Sequence, residues 1–465
     1  MSAPTSSSSR AARIGVLLLC LLAFVWMEAV EITRFLSGRW YLADVGNIHY
    51  TLVNTLHGRF MESPMHEANH FGFHFTPFLL LLAPFTLASR WPIPLVTSYV
   101  LALALCPLPL FHMARNAGLS PWAGVAAGVL FLGNVFVGSI QLANHFEVFF
   151  VLFFLTTMAL ATEGRWPFWA AALLTLSVKE DAAAWLGAYA VLLAWRGRRR
   201  NEPALRRRAG VLGILCLAWL VLAAAVLWFV GSRQHESAAS YVERAGALRC
   251  GWDNLLMLGG LFVSTGFLAL LGGASTLLVL VPAPLLLPEF PFTRNLLYYY
   301  SYPFIPYLML ATVEGMARLW RWLFRCGWPQ HRAAWAVALF AAAVGLVQVP
   351  LPTRTDSYRR FLFPVTARDW YRLSVAQELL PPDAPAVIQF GLWGITPTRS
   401  DARKLSARNI TPEAWIFLDP TTPHGLQPGE YEELTGRLED EVLSGTRPLI
   451  HERGQIYLIG PRIDS

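Results

Sequence analysis

Charged residues are scarce in this chain. Lys, Arg, Asp and Glu make up 14% of its 465 residues, whereas a soluble domain carries about a quarter. Hydrophobic residues make up 55%. Apolar runs recur from Ile14 to Pro350, and several approach the roughly 20 residues needed to cross a bilayer. This composition excludes an ordinary soluble protein and predicts an all-α polytopic membrane protein.

Cysteine is also scarce, and the cysteines stand alone in the sequence. Of the five, Cys20, Cys106 and Cys216 fall inside apolar runs, and no two have the close spacing of a zinc ligand pair. The pattern excludes a disulfide-rich scaffold and a zinc module. No nucleic-acid-binding motif is visible either, so the net charge of +7 needs another explanation.

Much of the positive charge lies in one loop, Arg196–Arg208, whose sequence is RGRRRNEPALRRR. Apolar runs flank this loop on both sides. Arginine-rich loops between membrane spans stay in the cytoplasm. The charge therefore predicts a cytoplasmic anchor in the inner (plasma) membrane rather than a nucleic-acid partner.

Counting apolar runs outward from this loop predicts about eleven transmembrane helices, with the N-terminus in the cytoplasm. Residues 1–350 form the predicted multi-pass domain, with an outer-face loop at 33–92, and residues 351–465 form a small extracytoplasmic α/β domain. Parity leaves no room for Phe75–Leu87 to cross, so we expect a helix lying in the outer interface there. Every polar cluster considered below then falls on the outer side.

The clearest cluster is Lys179-Glu180-Asp181. It separates two apolar runs of about 13–14 residues, Trp166–Val178 and Ala182–Trp195, which are short for full spans. A charge at the bilayer centre costs on the order of 3 kcal/mol, so three together need a polar cavity or one another. Lys179 could bind an anionic group, with Glu180 or Asp181 as base or metal ligand. The alternative is a lysine–carboxylate pair that caps a helical hairpin.

Two histidine segments supply further candidates. His145 and Glu147 open another short apolar run, where they could serve acid–base or metal chemistry or merely begin a helix. His70 and His74 stand four residues apart, at metal-ligand spacing on a helix. However, Gly72 and the alternating phenylalanines suit an extended interfacial segment equally well.

Asp44 and the tyrosine run around Tyr299 and Tyr300 are weaker candidates. Asp44 lies shortly before Gly46, where an aspartate is usually a turn residue. The tyrosines could line a sugar or lipid pocket or belong to an aromatic belt at the membrane surface.

Taken together, these segments resemble the bacterial and archaeal membrane protein family called domain of unknown function 2079. The order and spacing of the motifs agree with that family from Asp44 to Asp181, and more loosely beyond. The matching pieces are D-V-G-N at Asp44–Asn47, N-T-L-H-G-R at Asn54–Arg59, H-F-G-F-H-F-T-P at His70–Pro77, N-H-F-E at Asn144–Glu147, V-K-E-D-A at Val178–Ala182 and Y-Y-S at Tyr299–Ser301.

This resemblance implies a GT-C type integral membrane glycosyltransferase with its active site at the outer face. Such enzymes use an acidic residue soon after the first span, a position that Asp44 occupies here. Their donor is typically a sugar on a polyprenyl phosphate or diphosphate. This chain lacks the paired acidic residues of better-known members at that point, so Glu180 and Asp181 also stay candidates for the base.

The C-terminal segment is expected to form a small α/β unit. Ala386–Phe390, Trp415–Asp419 and Gln455–Ile459 read as short strands, and Gly429–Leu443 reads as a helix. No Gly-rich phosphate loop or nucleophile motif is present in this segment. It is therefore assigned to acceptor binding or to a structural role.

The sequence hypothesis is glycosyl transfer from a polyprenyl-phosphate-linked sugar, with Asp44 as base and Lys179 at the lipid phosphate. Arg244 or Arg294 of the external loops would assist Lys179. A divalent metal is a further expected cofactor, and the acceptor is open. The alternatives are a transporter or flippase for a lipid-linked or anionic solute, and a non-catalytic membrane protein. The sugar pocket or metal site would be formed by His145, Glu147, Glu180 and Asp181, with His70, His74, Tyr299 and Tyr300 as further substrate contacts.

Overall fold

A computed structural model describes most of the chain as two compact units. The described residues are 6–40, 43–231, 251–287, 296–297, 299–351, 361–397, 399 and 401–463. The first unit consists of Met1–Glu28, Gly72–Phe78 and Ser98–Arg360. The second consists of Ala29–Phe71, Leu79–Thr97 and Phe361–Ser465, so most of the predicted outer loop folds with the C-terminal part of the chain. The predicted boundary at residue 350 stays a prediction.

Helices dominate the chain up to residue 346. In chain order they are α1 Ser6–Leu36, α2 Ala43–Leu56, α3 Leu79–Leu82, α4 Ile93–Leu105, α5 Pro107–Asn116, α6 Pro121–Gly133, α7 Val135–Ala143, α8 Val148–Leu160, α9 Trp166–Val178, α10 Ala182–Arg199, α11 Pro203–Gly231, α12 Trp252–Val263, α13 Ala274–Leu278, α14 Phe304–Arg325, α15 Gln330–Leu346, α16 Ala367–Ser374 and α17 Pro428–Leu443.

Three stretches of the described residues are long and apolar enough to cross a membrane alone. They are Ser9–Leu36, Ile93–Asn116 and Pro203–Gly231, the second of which joins α4 to α5. The bent pair α6 and α7 would make a fourth span. These stretches agree with the predicted multi-pass membrane protein, but the predicted count of about eleven crossings is not confirmed.

The apolar run Trp122–Ile140, which the count above takes as one span, is not one continuous helix. It breaks at Asn134, where α6 and α7 meet at 55°. The Asn134 side chain accepts a hydrogen bond from the Phe136 amide at 3.0 Å and donates to Ser264 Oγ at 2.9 Å. The Gln348 side chain accepts from the Val135 amide at 3.3 Å. Polar side chains thus supply the backbone partners that a broken helix needs in an apolar environment.

The apolar runs Leu255–Leu271 and Ala274–Leu287, which the count above takes as two spans, are not regular α-helices throughout. The structure has α12, α13 and 3₁₀ turns at Leu268–Gly272 and Ala283–Leu286. Gly266, Phe267 and Gly273 all have φ near +60°. Left-handed residues end a helix, so this apolar region folds into short pieces.

The predicted interfacial helix Phe75–Leu87 is shorter than expected. Its helical part is α3 followed by a 3₁₀ turn at Ala83–Leu87. Pro84 stands in the first turn of the 3₁₀ segment, where it lacks the amide hydrogen that a continuing α-helix would use.

The strands form two sheets. In chain order the strands are β1 Glu62–Ser63, β2 Ala68–Asn69, β3 Ala386–Ile388, β4 Ala402–Lys404, β5 Trp415–Leu418, β6 Leu449–Arg453 and β7 Ile456–Ile459. Strands β1 and β2 form a two-stranded ribbon. The other five form a sheet in the order β4-β3-β5-β7-β6, in which β3 is parallel to β4 and β5 and the other pairs are antiparallel.

The second unit has its core between this larger sheet and α17. Leu434 and Leu438 of α17 pack with Ile416 and Ile459 of the sheet. Helix α2 belongs to the same unit, where the Tyr50 hydroxyl donates to the Pro397 carbonyl at 2.9 Å. The predicted small α/β domain, its helix and its three predicted strands are confirmed.

Candidate functional site

The three charged residues 179–181 form the turn between α9 and α10. Lys179 is extended, which ends α9 at Val178, and α10 begins at Ala182. The Lys179 ammonium lies 3.0 Å from Oε1 of Glu147, and the exposed fractions of the two side chains are 10% and 0%. A buried charge of either sign would be costly alone. The pair therefore offsets two burial penalties at once.

Glu147 reaches this position because the chain turns sharply before α8. Asn144 ends α7 in the left-handed conformation, and Glu147 immediately precedes the first residue of α8. Its second carboxylate oxygen contacts Nδ1 of His145. The start of a helix favours a carboxylate because backbone N–H groups point toward it.

Glu180 ties a distant segment to the start of α10. Its Oε1 lies 2.9 Å from His74 Nδ1, and its Oε2 accepts a hydrogen bond from the Phe75 amide at 3.0 Å. These side chains are more open, with exposed fractions of 33% for His74 and 22% for Glu180. The cluster therefore runs from a buried end at Glu147 to a part-exposed end at His74.

Tyr302, just before α14, completes the cluster. Its hydroxyl donates to Oδ2 of Asp181, and the Lys179 ammonium lies 5.4 Å from the centre of its ring. The ring is buried. In the sequence this residue belongs to the tyrosine run that could line a sugar or lipid pocket or form part of an aromatic belt. The signal that could have identified it is its place directly before Pro303 and the first residue of α14.

The cluster formed by these described residues has an excess of negative charge. It holds one ammonium group, on Lys179, against three carboxylates, on Glu147, Glu180 and Asp181. The formal charge is therefore −2 while His74 and His145 are neutral, and zero when both are protonated. Carboxylates beside histidines are suited to accept and pass on protons, so the arrangement is able to perform acid–base chemistry.

The structure does not add every predicted residue to this cluster. Asp44, in the first turn of α2, and His70, which is buried, belong to the second unit. Tyr300 is half-buried in the 3₁₀ turn Tyr299–Ser301, whereas the Tyr299 side chain lies outside the described residues. Arg244 and Arg294 also lie outside the described part of the chain.

A polar cavity in the second unit was missed by sequence reasoning. Its volume is about 590 Å³. The Asn54 amide donates to the Glu62 carbonyl at 3.0 Å, and the Asn409 amide donates to Glu67 Oε1 at 2.7 Å. The available signal was the N-T-L-H-G-R motif, whose first and last residues both line the cavity. The lining residues are Tyr50, Asn54, Arg59, Glu62, Pro64, Glu67, Arg399, Asp401, Ala402, Arg403 and Asn409.

No group of three or more His, Cys, Asp and Glu side chains among the described residues has the arrangement of a metal site. Two carboxylates of the cluster are engaged with histidines instead, Glu147 with His145 and Glu180 with His74.

The apolar helices and the buried charged cluster define a multi-pass membrane protein. Its structural neighbours include the crystal structure of ArnT from Cupriavidus metallidurans bound to undecaprenyl phosphate, with a TM-score of 0.57. The match covers 96% of this chain and 97% of that chain at 13% sequence identity. At this identity the likeness establishes the fold.

The chain belongs to the family described as predicted membrane protein (DUF2079), which it matches over residues 44–381. That range contains Asp44 and the whole Lys179 cluster, so the family resemblance read from the motifs is confirmed. Among curated proteins no match was found.

Proposed function

We propose that this protein is a membrane glycosyltransferase that takes a sugar from a polyprenyl-phosphate carrier at the outer face of the membrane. The observation that carries the proposal is the nearly full-length correspondence with ArnT, a GT-C glycosyltransferase whose structure holds undecaprenyl phosphate. The buried cluster around Lys179 supports it, because ionisable residues inside a membrane domain are costly and mark functional sites.

In this proposal Asp44 is the base. It removes the proton from an acceptor hydroxyl, whose oxygen forms a bond to the anomeric carbon of the sugar. The bond from that carbon to the phosphate oxygen breaks, and the carrier phosphate leaves with the electron pair. Asp44 supports this role by its place in the first turn of α2, and it holds the proton at the end of the step.

The Lys179 ammonium stabilises the negative charge on the leaving phosphate, assisted by Arg244 or Arg294. Because Lys179 is paired with Glu147, its ammonium is shared between that carboxylate and the phosphate. Glu180 and Asp181 bind sugar hydroxyls, or hold a divalent metal once the substrate supplies further oxygens. Tyr299 and Tyr300 line the sugar pocket, and His70 and His74 are further substrate contacts.

The polar cavity of the second unit suits the acceptor in this proposal. Three arginines and three carboxylates line it, and such a mixture favours a ligand rich in hydroxyl groups over one of a single charge. A volume of about 590 Å³ lies within the range of small-molecule pockets.

Asp44→Asn tests the proposed base. Purified protein in lipid is offered a panel of polyprenyl-linked sugars, with a cell-envelope extract as the source of acceptors. We expect Asn to keep the fold and to lower the transfer rate by roughly 100- to 10,000-fold, the usual contribution of a positioned base. Asp253→Asn is the matched control, since Asp253 is an exposed aspartate in the first turn of α12. Undiminished transfer by Asp44→Asn moves the base to Glu180, Asp181 or Glu147.

Transport of a lipid-linked or anionic solute is the second candidate function. The observation that favours it is the broken helix at Asn134, because discontinuous helices form the binding sites of many transporters. In this structure, however, Ser264 and Gln348 occupy the polar groups at the break. Movement of the lipid across the bilayer without transfer would favour this candidate.

A further inference from the structure

A second cavity lies at the opposite ends of the helices that carry the charged cluster. Glu147, Asp181 and Tyr302 mark the beginnings of α8, α10 and α14, whereas this cavity is lined by the last turns of α8 and α10 and the second half of α14. Helix α10 has 18 residues and is therefore about 27 Å long, with the charged cluster at its start and the cavity along its second half. The cavity has a volume of about 610 Å³.

The wall of this cavity is strongly basic. Arg196, Arg199 and Arg200 come from the end of α10, and Arg318 and Arg321 come from α14. Glu314 is the one carboxylate among the lining residues. Five positive charges against one negative charge give the lining a formal charge of +4.

Glu314 does not neutralise the remaining arginines, because Arg196 and Ser275 use both of its oxygens. Arg196 Nη2 lies 2.5 Å from Oε1, and Ser275 Oγ donates to Oε2 at 2.9 Å. Arg318 donates instead to the Leu271 carbonyl at 2.8 Å. The Arg199 guanidinium lies over the Trp195 ring at 5.1 Å. The described contacts of these two arginines are therefore with neutral groups.

The floor of the cavity is apolar. Met113, Met158, Leu193, Leu310 and Val313 line it and are buried or nearly buried in the protein. An arginine-rich wall above an apolar floor matches an anionic amphiphile. Arginine binds phosphate oxygens through two parallel hydrogen bonds, and an alkyl chain gains from contact with the apolar side chains.

We propose that this arginine cavity binds a phosphate-bearing ligand with an apolar tail, held by arginines of α10 and α14. Basic loops alone are expected at the cytoplasmic side of any membrane protein. That rule requires only positive charge near the membrane, whereas here arginines of two helices line one cavity that buried apolar side chains also line. The site is independent of the proposed glycosyl transfer.

The experiment measures binding of dodecyl phosphate to the full chain purified in dodecyl maltoside, by native mass spectrometry and titration calorimetry. The test variant is Arg199→Gln/Arg318→Gln, which removes one arginine from each wall. Its matched control is Arg207→Gln/Arg325→Gln, which removes two exposed arginines of the same basic segments that do not line the cavity. We expect at least about a tenfold loss of affinity in the test variant and a change below about threefold in the control.

Equal losses in the two double variants would overturn the proposal, because they would show that surface charge alone attracts the ligand. The absence of saturable binding to the wild type would overturn it as well. Arg200→Gln/Arg321→Gln repeats the test on other arginines should the first variant fold poorly. Competition by phosphatidylglycerol would support a lipid as the ligand, whereas competition by glycerol 3-phosphate alone would overturn the assignment of an apolar tail.

Discussion

Glu147 shows how a single residue ties the site to the stability of the protein. Its carboxylate is fully buried between the Lys179 ammonium and the His145 ring. Removing one partner of a buried ion pair is more damaging than removing both, because it leaves a charge without compensation. The pairing with Glu147 therefore gives Lys179 a structural role besides the proposed role at the phosphate.

We predict that Lys179→Met destabilises the protein by about 3–5 kcal/mol, the usual cost of breaking a buried pair. Adding Glu147→Gln should recover most of that loss, since the double variant holds neither charge. The measurement is the thermal unfolding of the full chain in detergent for the wild type, both single variants and the double variant. Additive losses in the double variant would show that the two residues do not act as a pair.

The buried carboxylate of Asp419 leads to a prediction about how the stability of the second unit depends on pH. Burial of this carboxyl opposes its ionisation, but hydrogen bonds from Thr421 and Arg368 prevail and hold the pKa of Asp419 below its usual range. Arg372 lies 3.2 Å from its second oxygen. Since the folded pKa is depressed, the stabilisation is present above the unfolded pKa of about 3.9 and is lost as the pH falls through the folded value.

Asp419→Asn should therefore weaken the second unit at neutral pH and remove part of its acid sensitivity. Limited proteolysis of the full chain between pH 3 and pH 7 measures both effects, with fragments from β5 and β7 as the readout. Asp401→Asn is the control, because the ion pair of Asp401 with Arg403 is exposed and such pairs contribute little. Identical pH profiles for Asp419→Asn and the wild type would contradict the assigned role.

Among the residues of the site, sequence alone identified the charged ones and could not identify their partners. Lys179 and Glu147 stand out because charge is scarce in apolar runs. Their pairing, the contact of Glu180 with His74 and the role of Tyr302 depend on how distant helices meet. No local pattern encodes those contacts.

At the scale of helices, close packing of α6 against α15 depends on glycine. A Cβ added at Gly345 would lie 2.7 Å from Leu130 Cα, and one added at Gly133 would collide with the Gly345 carbonyl. Small residues allow helix backbones to approach closely in membrane proteins. These two glycines therefore fix the distance between the two helices.

Gly345→Val is predicted to separate α6 from α15 and to lower the unfolding temperature and the yield of folded protein. Gly213→Val is the control, since a Cβ at Gly213 in α11 meets nothing within 4 Å. Both substitutions carry the same modest helix-propensity change, so any difference between them reports packing. Equal behaviour of the two variants in thermal unfolding would contradict the packing role.

Helix ends were predictable where charges mark them and unpredictable where polar or left-handed residues interrupt apolar sequence. The α9–α10 turn follows from three charges in a row. The break at Asn134 depends on Ser264 and Gln348, which are remote in sequence. The left-handed residues Gly266 and Phe267 divide a run whose hydrophobicity alone resembles a span.

At the scale of the whole molecule, different charged groups lie at the two ends of one helix bundle. The Lys179 cluster occupies the end proposed to face the outside. The arginine cavity occupies the end that the positive-inside rule places in the cytoplasm. The outer location of the C-terminal domain stays a prediction from the same rule.

Transfer by proteoliposomes with the donor in one leaflet shows at which face of the membrane the protein acts. Vesicles are sorted by the accessibility of a tag placed after Ser465, and a polyprenyl-linked sugar is then added to their outer leaflet. The donor stays in that leaflet because its polar head crosses the bilayer slowly. We predict transfer only when the tag and the donor share a side. Two results would contradict glycosyl transfer at the outer face. One is transfer when the Arg196–Arg208 loop faces the donor, and the other is movement of the donor across the bilayer without any transfer.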